Sequence, residues 1–284
     1  MAKITALIDA SVYAASVCDH AAWAAGRLAA GVEVLHVLGR RTAASPPADY
    51  SGSLGADGRD ALLEELVAFD REHAQLAQKR GRLILEQAKQ RLADAGVAEV
   101  TTRLRHGDLL EAVAEVEAGA DLLVIGKRGE AADFASLHLG SNLERVVRSS
   151  SRPILVTSRA FQPIRKALIA FDDGASARKS VDAIAATPLL HGVEIVVLRV
   201  GTPTPEITTG VEAAARRLRD AGLAATASVQ PGQAESVIAG VVEAQGIGLV
   251  VMGAYGHSRL RTLVIGSTTT EMIRSCKVPL LLFR

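Results

Sequence analysis

Gly253 and Gly256, nine intervening residues, then Gly266 followed by Ser267, Thr268 and Thr269 form a pattern suited to holding an anion. The pattern follows the apolar run 249–252 and leads into a helical stretch read at 270–275. A buried strand, a glycine-rich turn and a helix start are the parts of a phosphate site. Glycines let the backbone approach a ligand, and the free N–H groups of a helix's first turn attract negative charge. The three hydroxyls add donors at the same place. Taken alone, the pattern also fits an ordinary strand–loop–helix turn.

The pattern is written twice. After the apolar run 122–125 come Gly126, Lys127, Arg128 and Gly129, ten further residues, then Gly140, Ser141 and Asn142. Asp9 and Asp172, each just past an apolar run, lie 163 positions apart, as do Val37 and Val200. Downstream the offset is 126 for Gly140 and Gly266, Arg148 and Arg274, and Pro153 and Pro279. The drop corresponds to about 38 extra residues ahead of Gly107 in the first half. Two blocks in constant register read as a tandem duplication.

Apolar periodicity places strands at 3–8, 32–37, 97–104, 122–125 and 153–156, with helices at 13–29, 59–95, 109–117 and 142–149. Residues 40–58, rich in Ala, Ser, Pro and Gly, read as an exposed loop. In the second half, strands fall at 166–170, 193–200, 224–229, 249–252 and 279–283, and helices at 177–186, 206–221, 234–243 and 270–275. This alternation predicts an α/β chain of two tandem, doubly wound, mostly parallel five-stranded sheets, with domains at 1–158 and 163–284. Ligands of such sheets sit beyond the carboxyl ends of the strands, where the strand order reverses. The Asp turn after strand one, the end of strand two and the glycine loop after strand four can converge there. The apolar runs 154–156 and 280–282 are candidates for edge pairing.

Composition limits the alternatives. In 284 residues the net charge is +1, which argues against a dedicated nucleic-acid or acidic-membrane surface. No apolar run approaches the roughly 20 residues of a membrane span. The N-terminus reads as a strand rather than a signal peptide, which suggests a soluble, cytoplasmic protein. Cys18 and Cys276 have no partner at metal or redox spacing and read as small buried hydrophobes in a reducing compartment. The histidines form no metal-binding spacing, and His36 reads as a packed strand residue. Neither a Walker-type loop nor a kinase signature is present, and Asp172 and Asp173 are the only carboxylates grouped at the presumed site. No catalytic residue and no metal ligand is assigned.

As a set, these motifs resemble the ATP-binding members of the universal stress protein family, in a tandem two-domain form. The second half matches the family's spacing at Gly253, Gly256, Gly266 and Ser267, and the resemblance covers the chain apart from an insertion around 40–75. It implies a Rossmann-like fold and a stress-response regulatory role with at most slow ATP hydrolysis. The ligand implied is ATP, with or without Mg²⁺. Asp172 would lie near the adenosine, and the Val200 backbone would meet the adenine edge. Gly253 would admit the ribose, while Gly256, His257, Gly266, Ser267, Thr268 and Thr269 would hold the phosphates. Asp9, Val37, Gly126, Gly129, Gly140, Ser141 and Asn142 are the first-half counterparts.

That half departs from the pattern in its longer loop and in Leu143, which stands where the second half has Thr269. Lys127 and Arg128 could compensate electrostatically or be solvated surface charge. Asp9 and Asp172 could instead cap the following helices, and Ser141 with Glu144 could form a capping box. The resemblance also implies a pseudo-dimer of the two halves, with a homodimer of chains as a further level. The alternatives are a slow ATPase and a structural pseudo-dimer with vestigial sites.

Overall fold

A computed structural model describes residues 2–39, 56–129, 141–254 and 267–284, without the side chains of 56–63, 141 and 267. The first half runs β1 (Lys3–Ile8), α1 (Ala14–Leu28), β2 (Gly31–Leu38), α2 (Ala56–Asp94), β3 (Val100–His106), α3 (Leu109–Glu117), β4 (Leu122–Gly126), α4 (Ser141–Ser149) and β5 (Ile154–Thr157). The second runs β6 (Lys166–Ala170), α5 (Ala175–Ala185), β7 (Glu194–Val200), α6 (Pro205–Asp220), β8 (Ala224–Gln230), α7 (Ala234–Gln245), β9 (Leu249–Gly253), α8 (Ser267–Ser275) and β10 (Leu280–Phe283). A 3₁₀ turn at Pro188–Leu190, not read from the sequence, precedes β7. The expected 40–58 loop falls mostly outside the described residues.

The strand order is β3-β2-β1-β4-β5-β10-β9-β6-β7-β8. Each half contributes the five parallel strands expected. Antiparallel pairing of β5 with β10, with Leu155 opposite Leu281, fuses them into one ten-stranded sheet. Because that one pair is antiparallel, the carboxyl ends of the two strand sets face opposite edges. One apolar layer packs under α1, α2, α5 and α6, and the other under α3, α4, α7 and α8, each running through both halves. The central strands are buried on both faces, as doubly covered parallel strands must be, whereas the edge strands β3 and β8 keep exposed positions.

Lys127 and Arg284 each donate across the junction to a helix end. Lys127 Nζ donates to the Cys276 carbonyl at 2.7 Å, just past α8, and Arg284 Nη1 donates to the Arg148 carbonyl at 3.1 Å in α4. Both place a cation on carbonyls that a helix C-terminus leaves unsatisfied. Lys127 is thus neither a solvated charge nor a free counter-charge for a ligand in its own half. Desolvation lowers its pKa.

The third strand begins three residues later than expected. Gly96, at φ +85°, turns the chain back so that the Val97 amide bonds the Leu92 carbonyl at the end of α2. Val97 is therefore buried beneath the helix end rather than in the strand.

Both cysteines are buried, as their isolation in the sequence suggested. His36, a core residue, directs Nδ1 to the Ile8 carbonyl at 2.8 Å.

Leu281→Asp should destabilise the chain by about 3–5 kcal/mol, because it buries an unpaired charge at the junction. Lys127→Met should cost only about 1 kcal/mol. Urea unfolding of the two variants checks the contrast. Burial pushes the Cys18 thiol up to about 11 from an ordinary value of 9.0. The fold therefore favours its protonated form, so this contribution is complete below about pH 9 and lost as pH rises through about 11. Cys18→Val should lose less stability than the parent across that interval in alkaline unfolding curves.

Candidate functional site

In the first half the strand order reverses between β1 and β4, and in the second between β6 and β9. Asp9 follows β1 directly, and Asp172 lies two residues past β6. Asp9 Oδ1 accepts from the Ser11 amide at 3.0 Å, and Asp172 Oδ1 accepts from the Gly174 amide at 2.9 Å. These are matching Asx turns. Neither aspartate caps the next helix: the N-cap residues are Tyr13 and Gly174, without side-chain cap bonds. Asp173 takes the left-handed region at φ +65°, and its carboxylate accepts from Arg178 Nε at 2.8 Å.

The glycine ending each fourth strand has a packing duty. A Cβ on Gly126 would stand 2.8 Å from Tyr13 Cβ, and one on Gly253 would stand 2.8 Å from Ser176 Cβ. In both halves, then, the segment opening the first helix lies against the end of strand four, and only glycine leaves room. Further along the first loop, a Cβ on Gly129 would come within 2.9 Å of Asp9 Oδ2. The structure thus brings Asp9 and the Gly126–Gly129 turn together at the strand-order reversal.

In the second half, Thr269 is buried and its Oγ1 donates to the Gly253 carbonyl at 3.1 Å. That bond holds the first turn of α8 over the end of β9, beside the Asp172 turn. The hydroxyl proton of Thr269 is committed to this strut. Leu143, its first-half counterpart, is buried in the core instead. Thr268 is partly exposed and Asn142 exposed on the first turns of their helices. Ser141 and Ser267 open those helices. Glu144 bonds Arg148 within α4.

Val37 and Val200 sit near the carboxyl ends of β2 and β7, beside Arg105 and Gln230 respectively. Gly140, Gly256, His257 and Gly266 lie outside the described residues. Sequence reading passed over Arg199, which occupies the second-half position of His36. Its Nε and Nη1 are buried with no hydrogen-bond partner among the described residues. A polar residue at the end of an otherwise apolar run was the available signal. A separate groove of about 270 Å³ lies at β3 and α3, where Arg105 and His106 face Asp108, Glu111 and Glu115.

The chain matches the universal stress protein family over residues 1–158 and 206–284. It is 36% identical over 287 residues to a universal stress protein of Synechocystis sp., with 100% of both chains covered. In fold it resembles a universal stress protein from Archaeoglobus fulgidus at a TM-score of 0.72 and 17% identity, over 99% of this chain and 98% of that one. A functionally unknown protein from Pseudomonas aeruginosa follows at a TM-score of 0.60 and 16% identity, over 99% and 92% of the two chains. The duplicated glycine patterns, the reversed strand order and these matches along the chain make it a member of the universal stress protein family.

Proposed function

We propose that the chain is a stress-response regulatory module that binds adenine nucleotide, with ATP in the second half as the principal ligand. The supporting observation is the strut from Thr269 to the Gly253 carbonyl, which sets the N-terminus of α8 beside the Asp172 turn where the strand order reverses. Free amides of a helix's first turn suit a polyphosphate. Gly256, His257, Gly266, Ser267 and Thr268 supply the phosphate contacts in this reading, and Thr269 fixes the helix that carries them. Asp172 and the backbone of Val200 take the adenosine.

The described residues include no group of three or more His, Cys, Asp or Glu able to hold a metal. In this reading any Mg²⁺ accompanies the triphosphate. No positioned base for water is assigned, so turnover is slow at most.

The first half is the weaker site. Leu143 offers no hydroxyl, and Lys127 is bound to the other half. Asp9, Val37, Gly126, Gly129, Gly140, Ser141 and Asn142 line it in this reading. The continuous β5–β10 junction favours the second reading, a structural pseudo-dimer with vestigial sites.

Native mass spectrometry of the purified protein, with ATP and Mg²⁺ added, separates these readings. One or two bound adenine nucleotides are expected. Gly266→Val should remove the tighter one, lowering affinity about 10-fold or more, and Gly140→Val should affect only the weaker. Absence of nucleotide under all conditions would leave the scaffold. Gly126 and Gly253 are unsuitable probes, because a side chain there collides with Tyr13 or Ser176.

A further inference from the structure

Helix α2 is 39 residues long, and only its C-terminal part belongs to the core. Leu85, Ala88 and Leu92 are buried, and Gly81 lies so close to the sheet that a Cβ would stand 2.9 Å from Leu104 Cδ1. Gln78 meets His106, the last residue of β3, at 3.4 Å. Everything before Gln78 therefore extends past the carboxyl edge of the sheet. At 1.5 Å per residue, residues 56–77 project about 33 Å. Residues 64–76 are all exposed.

The exposed side of α2, from the projecting part as far as Leu83, bears large hydrophobes with no partner among the described residues. Leu66, Phe69, Leu76 and Leu83 are 40%, 61%, 56% and 65% exposed, and His73 and Arg80 fill the intervening positions. The steps alternate three and four residues, the spacing of a two-helix seam. Phe69 and His73 confirm the shared face, with ring centroids 5.5 Å apart. Val67, 62% exposed, lies off this register, but the other four exposed large hydrophobes of the helix share it, which a solvated helix has no reason to maintain.

Charge selects the occupant. We propose that this stripe pairs antiparallel with the same stripe of a second copy of the chain, making the inserted helix a homodimerisation arm. With His73 set against Leu76 of the second copy, Leu66 falls on Leu83 and Phe69 on Arg80. Each polar seam residue then meets an apolar one. In the same register the flanking Glu72 faces Lys79 of the second copy, and the two-fold axis makes that pair twice. A parallel pair would stack Arg80 on Arg80 and set Glu65 near Asp70. Between Glu64 and Leu83 the helix has four acidic residues and four basic ones. That balance is unlike the basic polar face of a helix that lies on anionic lipid.

Sedimentation velocity on the full chain across a concentration series tests the pairing. The parent should show a monomer–dimer equilibrium. Leu76→Glu should weaken it roughly 100-fold while leaving helix content unchanged by circular dichroism, since the site is exposed. Glu72→Lys and Lys79→Glu should each weaken the dimer, and the two combined should restore it. A parent that stays monomeric, or a dimer indifferent to Leu76→Glu, would overturn the proposal. Failure of the double exchange to restore association would overturn the antiparallel register. Flotation of a monomeric parent with phosphatidylglycerol–phosphatidylcholine vesicles would assign the stripe to lipid instead.

Discussion

The antiparallel pairing of β5 with β10 is the constraint on which the rest of the architecture depends. A half built alone would end at an open apolar strand, Ile154–Thr157 or Leu280–Phe283, buried on both faces by helices yet unpaired along its edge. Such an edge invites association. Joining the two edges satisfies both at once and makes the apolar layers continuous. It also fixes polarity. The strands of one half run opposite to those of the other, so the two reversal points open on opposite edges of the same sheet.

At each reversal point the same packing problem is solved by the same residue type. The chain leaves strand one through an Asx turn at Asp9 or Asp172, and the next helix begins close against the end of strand four. No side chain fits there, hence Gly126 and Gly253. The first glycine of each pattern is thus required by the fold, whatever the loop binds. The chemistry that separates the two halves lies in the first turn of the following helix. There Thr269 spends its proton on the Gly253 carbonyl, whereas Leu143 spends its side chain on the core.

Much of this was legible in the sequence because burial on both faces writes strands as short apolar runs. The α3 span and the β6 span emerge with the expected bounds. The constant offset between Asp9 and Asp172 gave the duplication, and the apolar 154–156 and 280–282 runs gave the junction. Other features were not legible, for physical reasons. Val97 is as apolar as a strand residue but is buried by a turn that depends on the positive φ of Gly96. Ser267, Thr268 and Thr269 read as loop hydroxyls, although the helix begins at Ser267. The partner of Lys127 lies 149 residues away, across a junction whose side-chain geometry no local pattern encodes. Asp9 and Asp172 have the right type for N-caps, and only the backbone path shows that their carboxylates reach an amide too early in the chain to cap the helix.

The cross-junction bonds give the two reversal points a shared mechanical frame. Lys127 belongs to the Gly126–Gly129 turn at the first reversal point, and it holds the C-terminal end of α8, whose N-terminal end lies at the second. Arg284 follows β10 and holds the C-terminal end of α4, whose N-terminal end lies at the first reversal point. Each helix therefore spans the sheet from one reversal point to the edge that bears the other. A rigid helix transmits a shift of one end to the other with little loss, because its backbone bonds are internally satisfied and its buried face interlocks with the sheet. The asymmetry of the frame matters too. Lys127 is drawn from the glycine turn itself, and Arg284 from the strand end beyond β10. The Gly126–Gly129 turn is thus anchored to the second half directly, and the one lysine that follows Gly126 is committed to the end of α8.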